Sequence, residues 1–380
     1  MRRGVAVLII ATLVVASLVT AFLVYYSPRN SNSDKKPFYF GVSFYGETVE
    51  EAKLLIDRVK NFTNLFIIGT TGISYNETKL TETCQYLVDH DMYFMIYSDN
   101  HRRLQVISDI VKKYGDNFLG HYFDNEQGGR QLDLYDYRWV YEADNYTDAS
   151  NQFVQGLKWW LNRRYYQNRT WTPAPSDFHL FTYDYALYWF DYKAGYDTVF
   201  AEFGWNNTIA QEIGLVRGAA KMQNKSWGTI ITWTYNHPPY LASGDDVFDQ
   251  MRLSYECGAE YVVVFNYAKD LDGPYGILQD EHFEAMELLW NEVAQNPKVV
   301  YGGIEAEAVL VLPNNYGWGM RNPNDKIWGL WDVDDKSEQI WDMLQKYLEQ
   351  YGTQLDIIYD DVEFPFEEKY SQIYYWNQTG

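Results

Sequence analysis

Phe38 to Ser98 reads FYFGVSFYGETVEEAKLLIDRVKNFTNLFIIGTTGISYNETKLTETCQYLVDHDMYFMIYS, and the alternation inside it decides the fold. Three apolar runs, Phe38–Gly46, Asn64–Thr70 and Met92–Ser98, are dense in Phe, Tyr and Ile. Apolar residues at consecutive positions suit strands covered on both faces. Between the runs lie two helical patterns. Val49–Lys60 sets Ala52, Leu55, Ile56 and Val59 on one face, and Glu77–Val88 follows Asn76 as its cap. Strand, helix, strand, helix, strand is the signature of parallel pairing through crossovers.

The same alternation continues outward. Further strands are predicted at Phe118–Asp124, Phe178–Asp184, Thr198–Phe203, Gly228–Tyr235 and Glu260–Tyr267. Helices are predicted at Arg103–Lys113, Asn151–Tyr165, Ile209–Lys221, Asp245–Glu256 and Glu281–Val293. Only Tyr185–Asp197 lacks a helical pattern between its strands. Eight such units in about 260 residues predict an α/β fold of the (β/α)8 TIM-barrel type over residues 38–298. A doubly wound open sheet does not need eight units, and no Gly-rich phosphate loop follows the first strand. Cys84 and Cys257 fall on helices that are not neighbours around such a ring, so they are not expected to pair.

Residues 305–380 read as a small α/β domain. Its strands are expected at Ala306–Leu312, Leu355–Tyr359 and Tyr370–Trp376, with a helix at Ser337–Gln350 capped by Ser337 and stopped by Gly352. The loop carrying Tyr316, Trp318, Trp328 and Trp331 would either stack on sugar rings or fasten this unit to the barrel.

The front end differs. Residues 1–3 include Arg2 and Arg3, and residues 4–26 hold no charge, enough for a helix spanning roughly 34 Å. The run ends in Tyr25-Tyr26 with no small-residue cleavage site, so an uncleaved signal anchor is expected, N-terminus cytoplasmic and the rest outside. Residues 27–37 are a polar linker. Asn-x-Ser/Thr sequons occur at Asn61, Asn76, Asn145, Asn168, Asn206, Asn224 and Asn377. Chance would give roughly two, so N-glycans are plausible at these sites.

Composition narrows the function. With hydrophobic residues at 47% and charged residues at 22% of 380, a large core is available and wholesale disorder is excluded. The net charge is −21, and the first 36 residues carry five basic groups and one acid, so the remainder carries −25. Such a body repels phosphate backbones, and nucleic acid is not an expected partner. Two cysteines and six histidines give no zinc spacing, and neither metal nor cofactor is expected.

In TIM-barrel enzymes the reacting groups sit at the C-terminal ends of strands and in the loops after them. Here those positions hold Tyr45 and Glu47, Asp99, Asp124-Asn125-Glu126, Asp184, Glu202 with Trp205, then Trp233, Tyr235 and His237, and finally Asn266, Tyr267 and Asp270. Carboxylates and aromatic rings dominate this crown. Glycoside hydrolysis uses such a set: one carboxylic acid protonates the leaving oxygen, and a second carboxylate attacks or activates water. With a period of two, Glu202 shares a face with Phe200, and Glu126 with Asp124 and Tyr122, which turns His121 outward.

The Asp124-Asn125-Glu126 run resembles strand-4 signatures of TIM-barrel glycoside hydrolases. An Asn-Glu pair there is typical of a large retaining clan, and an Asp-x-Glu triplet of chitinase-like barrels. Either resemblance implies that Glu126 is the proton donor. The retaining clan carries its nucleophile at the end of strand 7, where this chain has no carboxylate. The C-terminal unit loosely resembles the domain after the barrel in some β-galactosidases.

The expectation is therefore a membrane-anchored exterior glycoside hydrolase. Glu126 is the candidate acid/base and Glu202 the candidate nucleophile or general base, the first with a raised pKa and the second kept ionised. Tyr45, Asp124, Asn125, Asp184, Trp205, Trp233, Tyr235, His237 and Asn266 are candidate substrate contacts. Simpler roles stand beside these: Glu126 as a helix cap or partner of Arg130, Glu202 in a rim ion pair, the aromatics as packing, and Trp159-Trp160 as core. The alternative function is a non-catalytic glycan-binding or structural surface protein on the same scaffold.

Overall fold

A computed structural model of the chain describes residues 38–98, 109–110, 112–163, 166–167, 170–171, 179–205, 207–267 and 273–378. Residues 4–26, the helix expected at Arg103–Lys113 for most of its length, Asp99 and Asp270 lie outside the described residues. Among the described residues no helix is long and apolar enough to cross a membrane.

Eight parallel strands close into a barrel: β1 Tyr39–Phe44, β2 Leu65–Ile68, β3 Tyr93–Tyr97, β4 Phe118–Phe123, β5 Leu180–Asp184, β6 Thr198–Phe203, β7 Ser226–Ile231 and β8 Tyr261–Val264. The ring runs β1-β8-β7-β6-β5-β4-β3-β2, sealed where Tyr39 pairs with Tyr261 and Val42 with Val264. All eight expected strands are present in the expected order.

The pleat sorts side chains into two cores. Leu65, Ile67, Met95, Tyr122, Phe181, Phe200, Ile230 and Val263 fill the bore. Their neighbours in sequence, such as Phe66, Phe123, Val199, Ala201 and Val262, face the helices. Burying one such side chain contributes about 1.5–3 kcal/mol, so a one-residue slip of any strand is prohibitive. His121 lies outside the bore, its ring edge-on to Phe118 at 5.6 Å.

The helices are α1 Val49–Val59, α2 Glu77–Val88, α3 Gln127–Asp133, α4 Tyr146–Arg163, α5 Tyr188–Ala194, α6 Ile209–Gln223, α7 Gly244–Glu256 and α8 Asp280–Leu288, which runs on into a π-helical turn at Leu289–Ala294. Thr48 and Glu51 close a reciprocal capping box on α1. One corrects the sequence reading. Strands β5 and β6 are joined by α5, in which Tyr188, Trp189, Phe190, Asp191, Tyr192 and Ala194 are all buried. A helix covered on every side has no polar face, so its sequence shows no amphipathic period. On α4, Trp160 packs on Phe123 and Trp139, but Trp159 is 49% exposed and is not core.

The C-terminal residues form a three-stranded parallel sheet, with β9 Ala308–Leu312 between β10 Leu355–Tyr359 and β11 Gln372–Tyr375, and helix α9 Asp335–Tyr351. The barrel and this sheet belong to one compact unit, Phe38–Gly380. The sheet lies on α6, where added Cβ atoms at Gly214 and Gly218 would stand 2.6 and 2.7 Å from the carbonyl oxygens of Leu355 and Ile357. Beside them Arg217 pairs with buried Asp356 at 2.8 Å and donates to Thr353 O at 2.6 Å. The aromatic loop fastens rather than stacks. Tyr316, Trp318 and Trp328 are buried, and the Trp328 ring meets Phe153 at 5.6 Å and Phe190 at 4.6 Å.

Asp334, not Ser337, caps α9: its carboxylate accepts from the N–H groups of Lys336 and Ser337, while Ser337 Oγ accepts from Asp334 N–H. Ser337 is the third helical residue of that box. Asp334 also accepts from the hydroxyls of Tyr146 and Tyr316. Replacing Asp334 by Ala should cost about 1–2 kcal/mol, seen as a lower denaturation midpoint at unchanged denaturant slope.

Candidate active site

Glu202 ends β6 on the same face as Phe200 and so points up the bore, where it is only 4% exposed. Its Oε1 accepts from Thr232 Oγ1 at 2.7 Å, and Oε2 finds no protein partner. Burial pushes its carboxyl well above the usual range, and the nearby Glu126, Asp184 and Asp124 charges push further against the Thr232 hydrogen bond. That direction runs against the ionised Glu202 expected from sequence, since the carboxyl is buried and pairs with no cation among the described residues.

Glu126 stands at the turn from β4 into α3 with φ +41°, a left-handed backbone that costs a non-glycine residue about 1 kcal/mol or more. It is the residue before the first turn of α3, but its side chain makes no capping hydrogen bond. Instead the carboxylate lies 3.5 Å from Arg130 Nε. Its pKa is pushed up to about 7, by burial first; Arg130 opposes this, and the Asp184 and Asp124 charges add to it. Each glutamate is raised in part by others of the cluster. Carboxyls that raise one another in this way favour keeping a proton within the cluster.

Asp184 has a different role from the one expected. It is fully buried, and its oxygens accept from four backbone N–H groups: Gly128 at 2.6 Å, Gly129 and Tyr185 at 2.8 Å, and Ala186 at 3.2 Å. Burial against these four bonds leaves its pKa at about 6. The carboxylate clamps the first turn of α3 to the turn after β5, leaving no oxygen for a substrate hydroxyl. The clamp needs both glycines: an added Cβ at Gly128 would meet Ala186 O at 2.2 Å, and at Gly129 the Tyr185 ring at 2.0 Å. Asp191 is also fully buried, and burial together with the Asp184 charge pushes its carboxyl well up. Arg321 anchors the far end of α3 through paired hydrogen bonds to Asp133 at 2.6 and 3.0 Å.

Around the glutamates, Asp124 accepts from the Tyr183 hydroxyl, and burial raises its pKa. Asn125 is buried with its Nδ2 unpartnered, and Trp233 Nε1 is likewise buried without a protein partner. The Tyr45 ring is tilted against Phe265 at 5.0 Å, and its hydroxyl reaches that of Tyr122 at 3.4 Å. Trp205, 49% exposed, sits 6.4 Å from Trp233 and donates its N–H to Trp233 O. Tyr137, 64% exposed, has the Arg130 guanidinium over its ring at 5.7 Å. Two further expected contacts are placed elsewhere. Asn266 is buried, its Oδ1 accepting from Ile277 N–H and its N–H donating to Ser43 Oγ, so it holds the loop after β8. His237 is exposed and stacks on Tyr235 at 6.1 Å.

The sequence reading missed Thr232, Tyr183 and Asp191. Strand parity held a signal for Tyr183 and against Asp184: Phe181 and Tyr183 face the bore, so Asp184, the last residue of β5, faces away from it. Among the described residues no group of three or more His, Cys, Asp or Glu is arranged to hold a metal ion.

A parallel eight-stranded barrel whose mouth gathers one buried and one half-buried glutamate among aromatic rings is the class that fold and site define together. No family model matches the chain, and no curated protein matches it. Solved structures do. The endo-1,4-β-mannanase of Rhizomucor miehei is 10% identical, with 69% of this chain and 97% of that chain covered at a TM-score of 0.42. The endo-β-1,4-mannanase of Thermotoga petrophila is 8% identical, with 70% and 79% covered at 0.40. A 3-deoxy-D-arabino-heptulosonate 7-phosphate synthase from Thermotoga maritima is also 8% identical, with 69% and 90% covered at 0.38. Hydrolases and a synthase thus sit at similar distance, and no chemistry follows from them.

Proposed function

We propose that the chain is a glycoside hydrolase in which Glu126 and Glu202 are the paired carboxyl groups. The observation that carries this is the glutamate pair itself: buried Glu202 and half-buried Glu126, each raised by desolvation and by the other carboxyls of the cluster, beside unpartnered Asn125 Nδ2, Trp233 Nε1 and Glu202 Oε2. Buried polar atoms are nearly always hydrogen-bonded, and an orphaned set of donors and an acceptor suits a hydroxyl-rich ligand.

Glu126 gives its proton to the glycosidic oxygen as the bond to the anomeric carbon breaks. Glu202, having released its own proton to solvent as the substrate binds, attacks that carbon or takes a proton from the attacking water, and the leaving sugar departs with the proton from Glu126. Asp124 and Asn125 bind hydroxyls, while Tyr45, Trp205 and Trp233 offer ring faces. A purely glycan-binding protein would use those faces equally, but has no use for two mutually repelling carboxyls.

The exterior, membrane-anchored placement is part of this proposal. It rests on the uncharged run 4–26 and on the sequons. Asn61, Asn76, Asn145, Asn224 and Asn377 are all exposed, while Asn168 and Asn206 lie outside the described residues.

Assay of a panel of α- and β-linked oligosaccharides tests the activity. Its pH dependence tests the acid. Because the protonated form of Glu126 is the one that works, turnover should fall as pH rises through about 7. A rate that holds level to pH 9 would remove Glu126 from that role.

A further inference from the structure

A second concavity lies one layer out from the glutamates. Phe203 follows Glu202 in β6 and therefore faces the helices rather than the bore. There, between the loops that follow β6 and β7, opens a cleft of about 500 Å³. Phe203, Ile209 and Leu253 form its apolar floor, and Asp246, Asp249 and Gln250 on α7 its rim. Tyr235 forms the lip, 43% exposed and held by a parallel stack on His237.

The rim selects the ligand. Asp246 spends one oxygen on Ser243 Oγ at 2.7 Å, Asp249 is exposed, and Gln250 Oε1 is buried with no protein partner. These groups accept hydrogen bonds, and none of the described lining residues is basic. An anion is repelled. A ligand with many donors, no negative charge and an apolar face fits both rim and floor. A pyranose ring has that character: hydroxyls at its edge, C–H groups on its face.

We propose that this cleft binds a neutral sugar unit, at a site separated from the glutamate pair by the wall of β6. The choice of a sugar over other neutral polyols rests on the hydrolase reading; the site itself does not. On a polymer the two positions would hold different segments of one chain, giving the protein a grip that does not depend on the reacting residue.

The test uses the full-length chain carrying both Glu126→Gln and Glu202→Gln, so that no probe is consumed. Cellohexaose, maltohexaose and mannohexaose are titrated by calorimetry and by saturation-transfer NMR. At least one should bind. Adding Tyr235→Ala or Gln250→Leu should weaken that binding about ten-fold or more. Tyr235 is a surface residue, so its replacement leaves the fold intact and keeps the comparison valid if Gln250→Leu destabilises. No binding by any probe, or binding indifferent to both substitutions, overturns the proposal. Turnover of the parent chain is scored separately. Binding without turnover upholds the cleft and removes the hydrolase; turnover with no cleft-dependent binding does the reverse.

Discussion

Glu202→Gln should lower turnover of an oligosaccharide substrate by about 10³-fold or more, and Glu126→Gln by a comparable factor, in a protein that melts no lower than its parent. The stability half is as diagnostic as the kinetic half. Glu202 is buried with one satisfied oxygen, one orphan and no cation, an arrangement that burdens the fold. An amide cannot ionise, keeps the volume and can still accept from Thr232 Oγ1. Glu126→Gln likewise relieves repulsion in the cluster and loses only a 3.5 Å contact to a partly exposed Arg130. Loss of activity with gain of stability marks groups kept for chemistry rather than architecture. If both variants hydrolyse at the parent rate, the paired role is gone; if both lose stability heavily, the carboxyls are structural.

Asp184→Ala should behave in the opposite way, costing about 4 kcal/mol and lowering the melting temperature by roughly 8 °C. Four backbone N–H groups lose their acceptor at once, and each buried orphan costs about 1–3 kcal/mol. Relief of the strain between Asp184 and Asp191 offsets part of this. Asp184→Asn, which keeps one accepting oxygen, should fall between. Since the clamp fixes the turn that holds Glu126 at its left-handed φ, turnover should drop in both variants along with stability. Melting within 1 °C of the parent would show that the clamp carries no weight.

The barrel was legible because its strands are covered on both faces, which leaves continuous apolar runs that few other folds require. Helices with one wet face were legible for the complementary reason. α5 was not, because it has no wet face at all, and the box on α9 was read three residues late because both Asp334 and Ser337 are good caps. Within the site, strand ends and parity located Glu126 and Glu202. They did not separate a carboxylate that faces the bore from one that faces backbone, and Asp184 was read by its position at the strand end rather than by the parity of Phe181 and Tyr183. Partners such as Tyr183 for Asp124, 59 residues apart, and Thr232 for Glu202, 30 apart, join different strands. Only the closed ring brings them together.

The seating of the last sheet on α6 has a consequence for how the chain is made. α6 has eleven of its fifteen residues buried, and Arg217 meets Asp356 across 139 positions of sequence. At ordinary rates of synthesis the helix therefore waits on the order of ten seconds for its cover. During that interval the ring already has its eight strands, yet one flank shows bare glycines and an unneutralised guanidinium. Leu355–Tyr359, made well after the eighth barrel strand, shut that flank, so the ring is complete in sequence before its cover exists.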